Sequence, residues 1–301
     1  MKLTILGCHS AVPRTNTNPT AQVLEIKNHL FLIDCGEGTQ VQLRRQKIKF
    51  ARIKHIFISH LHGDHYFGLV GLISTFRLLG READLHIYCP KGLKEVVTLQ
   101  MKLADSWTNY QLIFHELDSN ASELIYEDDK LKIFTIPLNH RVYTNGFLFK
   151  EKDGDRKLNM NEVLNQNIDV SYYRKLIQGH DVENKDGKLV KNELVTRPGT
   201  KPKSYAFCSD TAFKESIVEI IKNVSALYHE ATFLEKHKKL TLSTKHSTAK
   251  QAAEIAKKAN AGKLILGHYS TRYDDLEKFR EEAKPIFENV ELAEDGKTFD
   301  F

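Results

Sequence analysis

The chain reads as an α/β protein, and three observations lead there. Short apolar runs of strand length, such as Ile56-Phe57-Ile58 and Leu264-Ile265-Leu266, recur between longer stretches with helical periodicity. Four of these runs are followed within three residues by histidine or aspartate, as expected where strands of a layered α/β fold present ligands beyond their carboxyl ends. The 301 residues, 41% hydrophobic and 28% charged, can bury a full core without disulfide or metal staples, as one large domain or two average ones.

In order, Leu3–Leu6 is a strand ended by Gly7, followed by a polar loop bounded by Pro13 and Pro19. Gln22–Ile26 and Leu30–Asp34 form a hairpin around Lys27-Asn28-His29. The glycine-containing turn Cys35–Gln40 leads into a short basic helix near Val41–Gln46. Lys54–Ser59 is the strand before the histidine cluster, and Tyr66–Leu79 is helical. Leu85–Cys89, a helix near Gly92–Ala104, and strands at Leu112–His115, Leu124–Tyr126, Leu131–Pro137 and Thr144–Lys150 continue the alternation.

From about Lys150 to Lys203 the texture changes to charged residues with few large apolar ones, and only Val170–Ile177 is periodic. This stretch, taken as residues 151–203, is an expected projecting insertion in a single domain over 1–301, since so long an unstructured loop is unusual in a compact domain. Beyond it come a strand at Ser204–Cys208, a helix at Glu215–Lys222 and a strand at Ala226–His229. The helix Ala249–Ala259 carries a capping-box pair, Thr248 and Gln251, and a stop at Gly262. A strand at Leu264–Leu266, a helix at Leu276–Phe287 and a strand at Val290–Leu292 complete the pattern.

Several function classes are excluded or left unsupported. The net charge of +5, from 44 Lys+Arg and 39 Asp+Glu, is compatible with an anionic partner without requiring one. No run has the length of a membrane span, and the first apolar run is too short for a signal peptide. Cys8, Cys35, Cys89 and Cys208 lack C-x-x-C spacing and sit in or beside apolar runs, as buried free thiols of a reducing compartment do. A cytoplasmic protein without membrane contact is expected.

The chemistry centres on His60-Leu61-His62-Gly63-Asp64-His65. On extended backbone His60 and His62 point the same way, Gly63 permits a sharp turn, and Asp64 and His65 open the helix that follows. Imidazoles and a carboxylate with open positions describe a hydrolytic zinc site. Three more strand ends bring His140, Asp210 and His268. The seven side chains divide into His60, His62 and His140 for one zinc ion and Asp64, His65 and His268 for a second. Asp210 offers one oxygen to each. Two adjacent ions can share a hydroxide and clamp an attacked phosphate.

With these residues the sequence resembles the metallo-β-lactamase superfamily and, within it, the ribonuclease Z family of tRNA 3′-processing endonucleases. The narrower resemblance rests on Phe31–Gln40, His229-Glu230-Ala231-Thr232-Phe233, His246-Ser247-Thr248 and His268-Tyr269-Ser270-Thr271-Arg272-Tyr273, and it extends over nearly the whole chain. It implies an αββα four-layer sandwich with the 151–203 insertion as a tRNA-gripping arm. It also implies two zinc ions per subunit, precursor tRNA cut after the discriminator nucleotide to leave a 3′-hydroxyl, and a homodimer. In that reading His246, just before a capped helix start suited to phosphate, protonates the leaving oxygen, and Glu230 orients it. Asp64 also accepts the proton of the attacking water. Arg272, with Ser247, Thr248 and Ser270, contacts the substrate, and Asp34 fixes a ligand histidine. The competing reading is a hydrolase of the same fold acting on small phosphodiesters or other esters. The long insertion, His246-Ser247-Thr248 and Arg272 speak against it. The chain departs from the family pattern in the arm, at Asn167–Lys175, and in the loop Pro13–Asn18.

Overall fold

A computed structural model describes residues 1–12 and 14–301; Pro13, one end of the expected polar loop, lies outside the described residues. The first sheet is built from β1 (Lys2–Gly7), β2 (Ala21–Ile26), β3 (His29–Ile33), β4 (Ile53–Phe57), β5 (Leu85–Pro90) and β6 (Leu112–Leu117). Strands β1 to β3 form an antiparallel meander, and β3 to β6 run parallel, joined by helical crossovers. The alternation of β3 shows why the sheet is covered on both faces. Phe31 and Ile33 join the core between the sheets, while Leu30 and Leu32 join a separate core beneath the outer helices. Those helices are α1 (Thr39–Arg45), α3 (Leu69–Leu78) and α4 (Leu93–Leu103), with the single-turn α2 (Gly63–Tyr66) between β4 and α3.

The second sheet begins with the hairpin strands β7 (Leu124–Glu127), β8 (Leu131–Pro137) and β9 (Asn145–Glu151). After the insertion it adds β14 (Ser204–Cys208), β15 (Ala226–Glu230), β16 (Leu264–Gly267) and β17 (Val290–Leu292), all parallel to one another. Helices α9 (Ala249–Lys258) and α10 (Glu277–Ala283) cover its outer face, so the expected αββα sandwich is the observed one. A last strand, β18 (Thr298–Asp300), returns to the first sheet beside β1 and was not anticipated from the sequence.

Three helical expectations change. The stretch Tyr66–Leu79 is broken at Gly68, which packs on the Cys35–Gly36 turn so closely that a Cβ there would overlap the Gly36 carbonyl. Glu215–Lys222 forms one 3-10 turn, Glu215–Ile217, and then irregular turns up to Asn223, whose φ of 58° is left-handed. The last expected helix stops at Ala283 because Pro285 supplies no N–H to continue it.

Residues between β9 and β14 are folded where only one periodic run was expected. Strands β10 (Lys157–Leu158) and β13 (Thr196–Arg197) pair, as do β11 (Val182–Glu183) and β12 (Leu189–Val190). Around them lie α5 (Met160–Asn165), α6 (Tyr173–Ile177) and α7 (Asn192–Val195). Val163, Ile168, Leu176, Val182, Val190 and Val195 close a small core of their own.

Candidate metal centre

The parallel strands of both sheets point their carboxyl ends at one cleft. The turns beyond β4, β8, β14 and β16 bring His60–His65, His140, Asp210 and His268 to it, and Asp34, after β3, lies buried behind them. Four of the imidazoles are aimed from behind. His60 Nδ1 donates to Ser59 Oγ at 3.0 Å, and His65 Nδ1 donates to Asp34 Oδ2 at 2.7 Å. His140 Nδ1 donates to the Lys245 carbonyl at 2.9 Å, and His268 Nδ1 to Thr232 Oγ1 at 2.9 Å. With Nδ1 engaged from behind, each ring turns its Nε2 toward the cleft, the nitrogen left for a metal to take. His62 differs and presents Nδ1.

The inward atoms form two groups. In the first, His62 Nδ1 lies 3.0 Å from His60 Nε2 and 3.2 Å from His140 Nε2. Those Nε2 atoms lie 3.5 and 3.8 Å from Asp210 Oδ2. In the second, Asp64 Oδ2 lies 3.4 Å from both His65 Nε2 and His268 Nε2, which are 3.4 and 3.2 Å from Asp210 Oδ1. Donors about 2.0–2.1 Å from a tetrahedral ion are separated by about 3.3–3.4 Å, and the observed spacings bracket that value. His65 Nε2 and Asp210 Oδ1 are buried with no hydrogen-bond partner, which is costly unless a cation meets them. Burial opposes charge on Asp64 and Asp210, but the facing His65 and His268 outweigh it and hold both carboxyls below their usual range. The unsatisfied Asp210 oxygen and the Asp64 carboxylate, set among imidazole nitrogens, suit a divalent metal.

Asp34 takes no position in either group. Fully buried, it accepts from the Ser59 amide at 2.7 Å and the Ser59 hydroxyl at 2.9 Å as well as from His65. Glu230 is likewise fully buried. Its Oε1 accepts from His246 Nδ1 at 2.9 Å and from the Thr211 and Ser247 amides, and its Oε2 accepts from the Thr232 amide and hydroxyl. Burial disfavours an imidazolium at His246, yet Glu230 and then Asp210 outweigh it and push His246 up to about 9. Glu230 makes no direct contact with either donor group, and its bond to His246 does not pass through Asp210.

The structure corrects one part of the expected substrate surface. Ser247 and Thr248 are fully buried, with their polar atoms engaged inside the fold. Ser247 Oγ donates to the Thr211 carbonyl at 2.7 Å, and Thr248 Oγ1 both accepts from the Gln251 amide and donates to Glu235. The amides at the start of α9 are also taken: Ser247 by Glu230, Thr248 by Gln251, Ala249 by the Phe233 carbonyl and Lys250 by Glu282. Among the described residues each of these four amides has a partner inside the fold, which ties this helix start to the support of His246 rather than to the cleft. Ser270 and the exposed Arg272, by contrast, line the cleft, a space of about 430 Å³. Arg141, Thr232 and Phe233 share that lining and were not singled out from the sequence. Thr232 and Phe233 lie inside a motif that was quoted, and Arg141 directly follows a ligand histidine.

A family model described as Anti-Pycsar protein Apyc1 matches residues 1–153. Over nearly the full length, the chain is 45% identical to the ribonuclease Z of Porphyromonas gingivalis across 296 residues, 98% of this chain and 97% of that one. It is also 45% identical to the ribonuclease Z of Bacteroides fragilis across 295 residues, 98% of this chain and 97% of that one. The chain belongs to the ribonuclease Z family. Among solved structures, the short form of human tRNase Z superposes with a TM-score of 0.72 at 26% identity, covering 100% of this chain and 99% of that one. The metallo-β-lactamase fold protein YhfI from Bacillus subtilis, at 18% identity and a TM-score of 0.70 over 99% of both chains, shares the fold. Membership in the ribonuclease Z family makes this chain a metal-binding hydrolase of the nuclease class. Among the described residues no helix is long and apolar enough to cross a membrane.

Proposed function

We propose that this ribonuclease Z-family hydrolase binds two zinc ions and cuts precursor tRNA after the discriminator nucleotide, leaving a 3′-hydroxyl on the tRNA. The observation that carries the reading is the division of Asp210, whose two carboxylate oxygens face two different three-residue sets at ligand spacing. His60, His62 and His140 would hold one ion, and Asp64, His65 and His268 the other. When bound, such ions supply a water ionised near neutral pH and offset charge on the attacked phosphate.

The chain's own residues supply the remainder. Asp64 accepts the proton of the attacking water. His246 donates from its cleft-facing nitrogen to the leaving 3′-oxygen, and Glu230 keeps it protonated and in register. Arg272 and Ser270, which line the cleft together with His62, receive the phosphate. Asp34 keeps His65 in the ligating tautomer. The folded insertion at 151–203 serves as an arm. Its exposed Arg174, Lys175, Lys188 and Lys191 meet backbone phosphates of the tRNA body without reading sequence. Two copies pair as a homodimer, for which the outer helices offer the exposed Val41, Leu78, Leu99 and Leu103. The four buried free cysteines fit action in the reducing cytoplasm.

Zinc-reconstituted protein is tested on precursor tRNA with and without an encoded CCA end. Cleavage after the discriminator supports the reading. An intact precursor beside rapid hydrolysis of a small phosphodiester refutes it in favour of the small-ester hydrolase. Sedimentation velocity tests the dimer separately.

A further inference from the structure

Toward the opposite end of the first sheet from the cleft, the C-terminal ends of α1 and α3 and the segments after them line a second cavity of about 690 Å³. It shares no lining residue with the cleft beside the metal ligands. Its apolar lining is Ile48, Ala51, Leu79 and Ala83, backed by the buried rings of Phe50 and Phe76, which meet edge to face at 5.9 Å. Its polar lining is one-sided: Arg44, Lys47, Lys49 and Arg81 against the single acid Glu82. Among the described residues none of the four cations is ion-paired, whereas arginines elsewhere, such as Arg14, Arg52 and Arg280, are.

Arg81 shows that the site is built. It is only 8% exposed, and its guanidinium is pinned by the carbonyls of Ile53 at 2.9 Å, Ala83 at 2.7 Å and Asp84 at 2.7 Å. Those three bonds use three of its five N–H groups, so a fixed charge with spare donors stands at the wall. Arg44 sits 5.1 Å from the centre of the Phe50 ring, and Arg81 sits 4.9 Å from that of Phe76. Guanidinium planes held over aromatic rings present flat faces on which a further planar ring can stack. A purely apolar guest would strip water from cations and leave them unpaired, and a cationic guest would be repelled. A planar aromatic group joined to an anion satisfies both the flat guanidinium face and the cationic rim, and the volume lies in the range of small-ligand sites.

We propose that this cavity binds a nucleoside monophosphate, either free or as the 5′-phosphorylated end of an RNA strand, with the base stacked on the exposed guanidinium of Arg44 and the phosphate among Lys47, Lys49 and Arg81. The test is photolabelling of the zinc-loaded full-length protein with 8-azidoadenosine 5′-monophosphate, followed by peptide mapping. Label is expected within residues 44–51 or 76–83, displaced by AMP or by a 5′-phosphorylated RNA trinucleotide and not by adenosine or inorganic phosphate alone. Whichever of the two competitors acts at lower concentration identifies the source of the nucleotide. The double variant Arg44→Gln, Lys49→Gln removes two exposed cations far from the cleft. It is expected to lose label at least about tenfold, since each charge-assisted contact is worth roughly a decade of affinity, while hydrolysing bis(p-nitrophenyl) phosphate at the wild-type rate. Label confined to the metal cleft, no label, equal labelling of the variant, or displacement by adenosine as effective as by AMP overturns the proposal. None of these outcomes bears on tRNA cleavage.

Discussion

Replacing Asp34 by asparagine changes a single atom type in a residue that contacts no metal position, and the consequence can be worked from its partners. Three donors converge on the carboxylate: the Ser59 amide on Oδ1, and the Ser59 hydroxyl and His65 Nδ1 on Oδ2. An amide has one accepting oxygen and one donating nitrogen. Whichever way it is turned, its NH₂ faces at least one of those donors at a distance set for attraction. If the nitrogen replaces Oδ2, His65 loses the acceptor that fixes its tautomer. If it replaces Oδ1, the Ser59 amide beside His60 loses its own. Loss of such support behind a ligand histidine weakens metal affinity by about 10–100-fold, or about 1.4–2.7 kcal/mol. The assay is a zinc titration of metal-free protein against a chromophoric chelator. Asp34→Asn is expected to weaken the step belonging to Asp64, His65 and His268 by that factor. The step of His60, His62 and His140 should stay within about threefold. Unchanged affinity in both steps, with the fold intact by circular dichroism, would refute the claim that Asp34 acts through His65.

Four further outcomes are expected. His246→Ala should lower precursor cleavage by about 10²–10⁴-fold at unchanged metal content. It should affect a p-nitrophenyl phosphodiester by less than about tenfold, because that leaving group needs no proton; equal losses on both substrates would remove the general-acid role. In Glu230→Gln the carboxylate that holds the imidazolium is gone. An acid must be protonated to act, so the alkaline limb of the kcat profile should move to lower pH, and a profile that stays in place contradicts the assignment. Ser247→Ala should cost about 1 kcal/mol of stability through the lost bond to Thr211, with KM for precursor tRNA unchanged; a raised KM would restore the hydroxyl as a substrate contact. His55 lies at the opposite end of the sheets, where burial and then His86 push it down to about 3. The unfolded chain takes up its proton first, near pH 6.5. His55→Phe should therefore flatten the fall of Tm between pH 6.5 and 4, which is read by calorimetry on metal-free protein.

What could be read from the sequence was local and periodic. The histidine turn, the alternation of β3 and the capping box of α9 are each written within about ten residues, and their geometry follows from strand and helix repeats. The convergence of His140, Asp210 and His268 was also legible, because the end of a strand is a predictable place even when its neighbours are not. Interactions whose partners lie far apart were not. The donors before α9 look free in sequence. They are taken because Glu230, Phe233 and Glu282 arrive from other elements. The core residues of the insertion, the valines together with Ile168 and Leu176, stand five to eight residues apart, too widely to mark one face of any element, and become a core only when several short turns fold together. Arg141 gives no periodic signal, and its place is fixed by the turn after β8.

The insertion leaves the second sheet at the end of β9 and re-enters at β14, two strands that are antiparallel neighbours, and its roots are tied where the Glu151 amide donates to the Lys203 carbonyl. To the sheet, fifty residues of outward excursion are therefore equivalent to a tight hairpin. Evolution can lengthen, shorten or recast such an appendage without shifting a ligand at the opposite rim, so a change of RNA client need not retrace the origin of the chemistry.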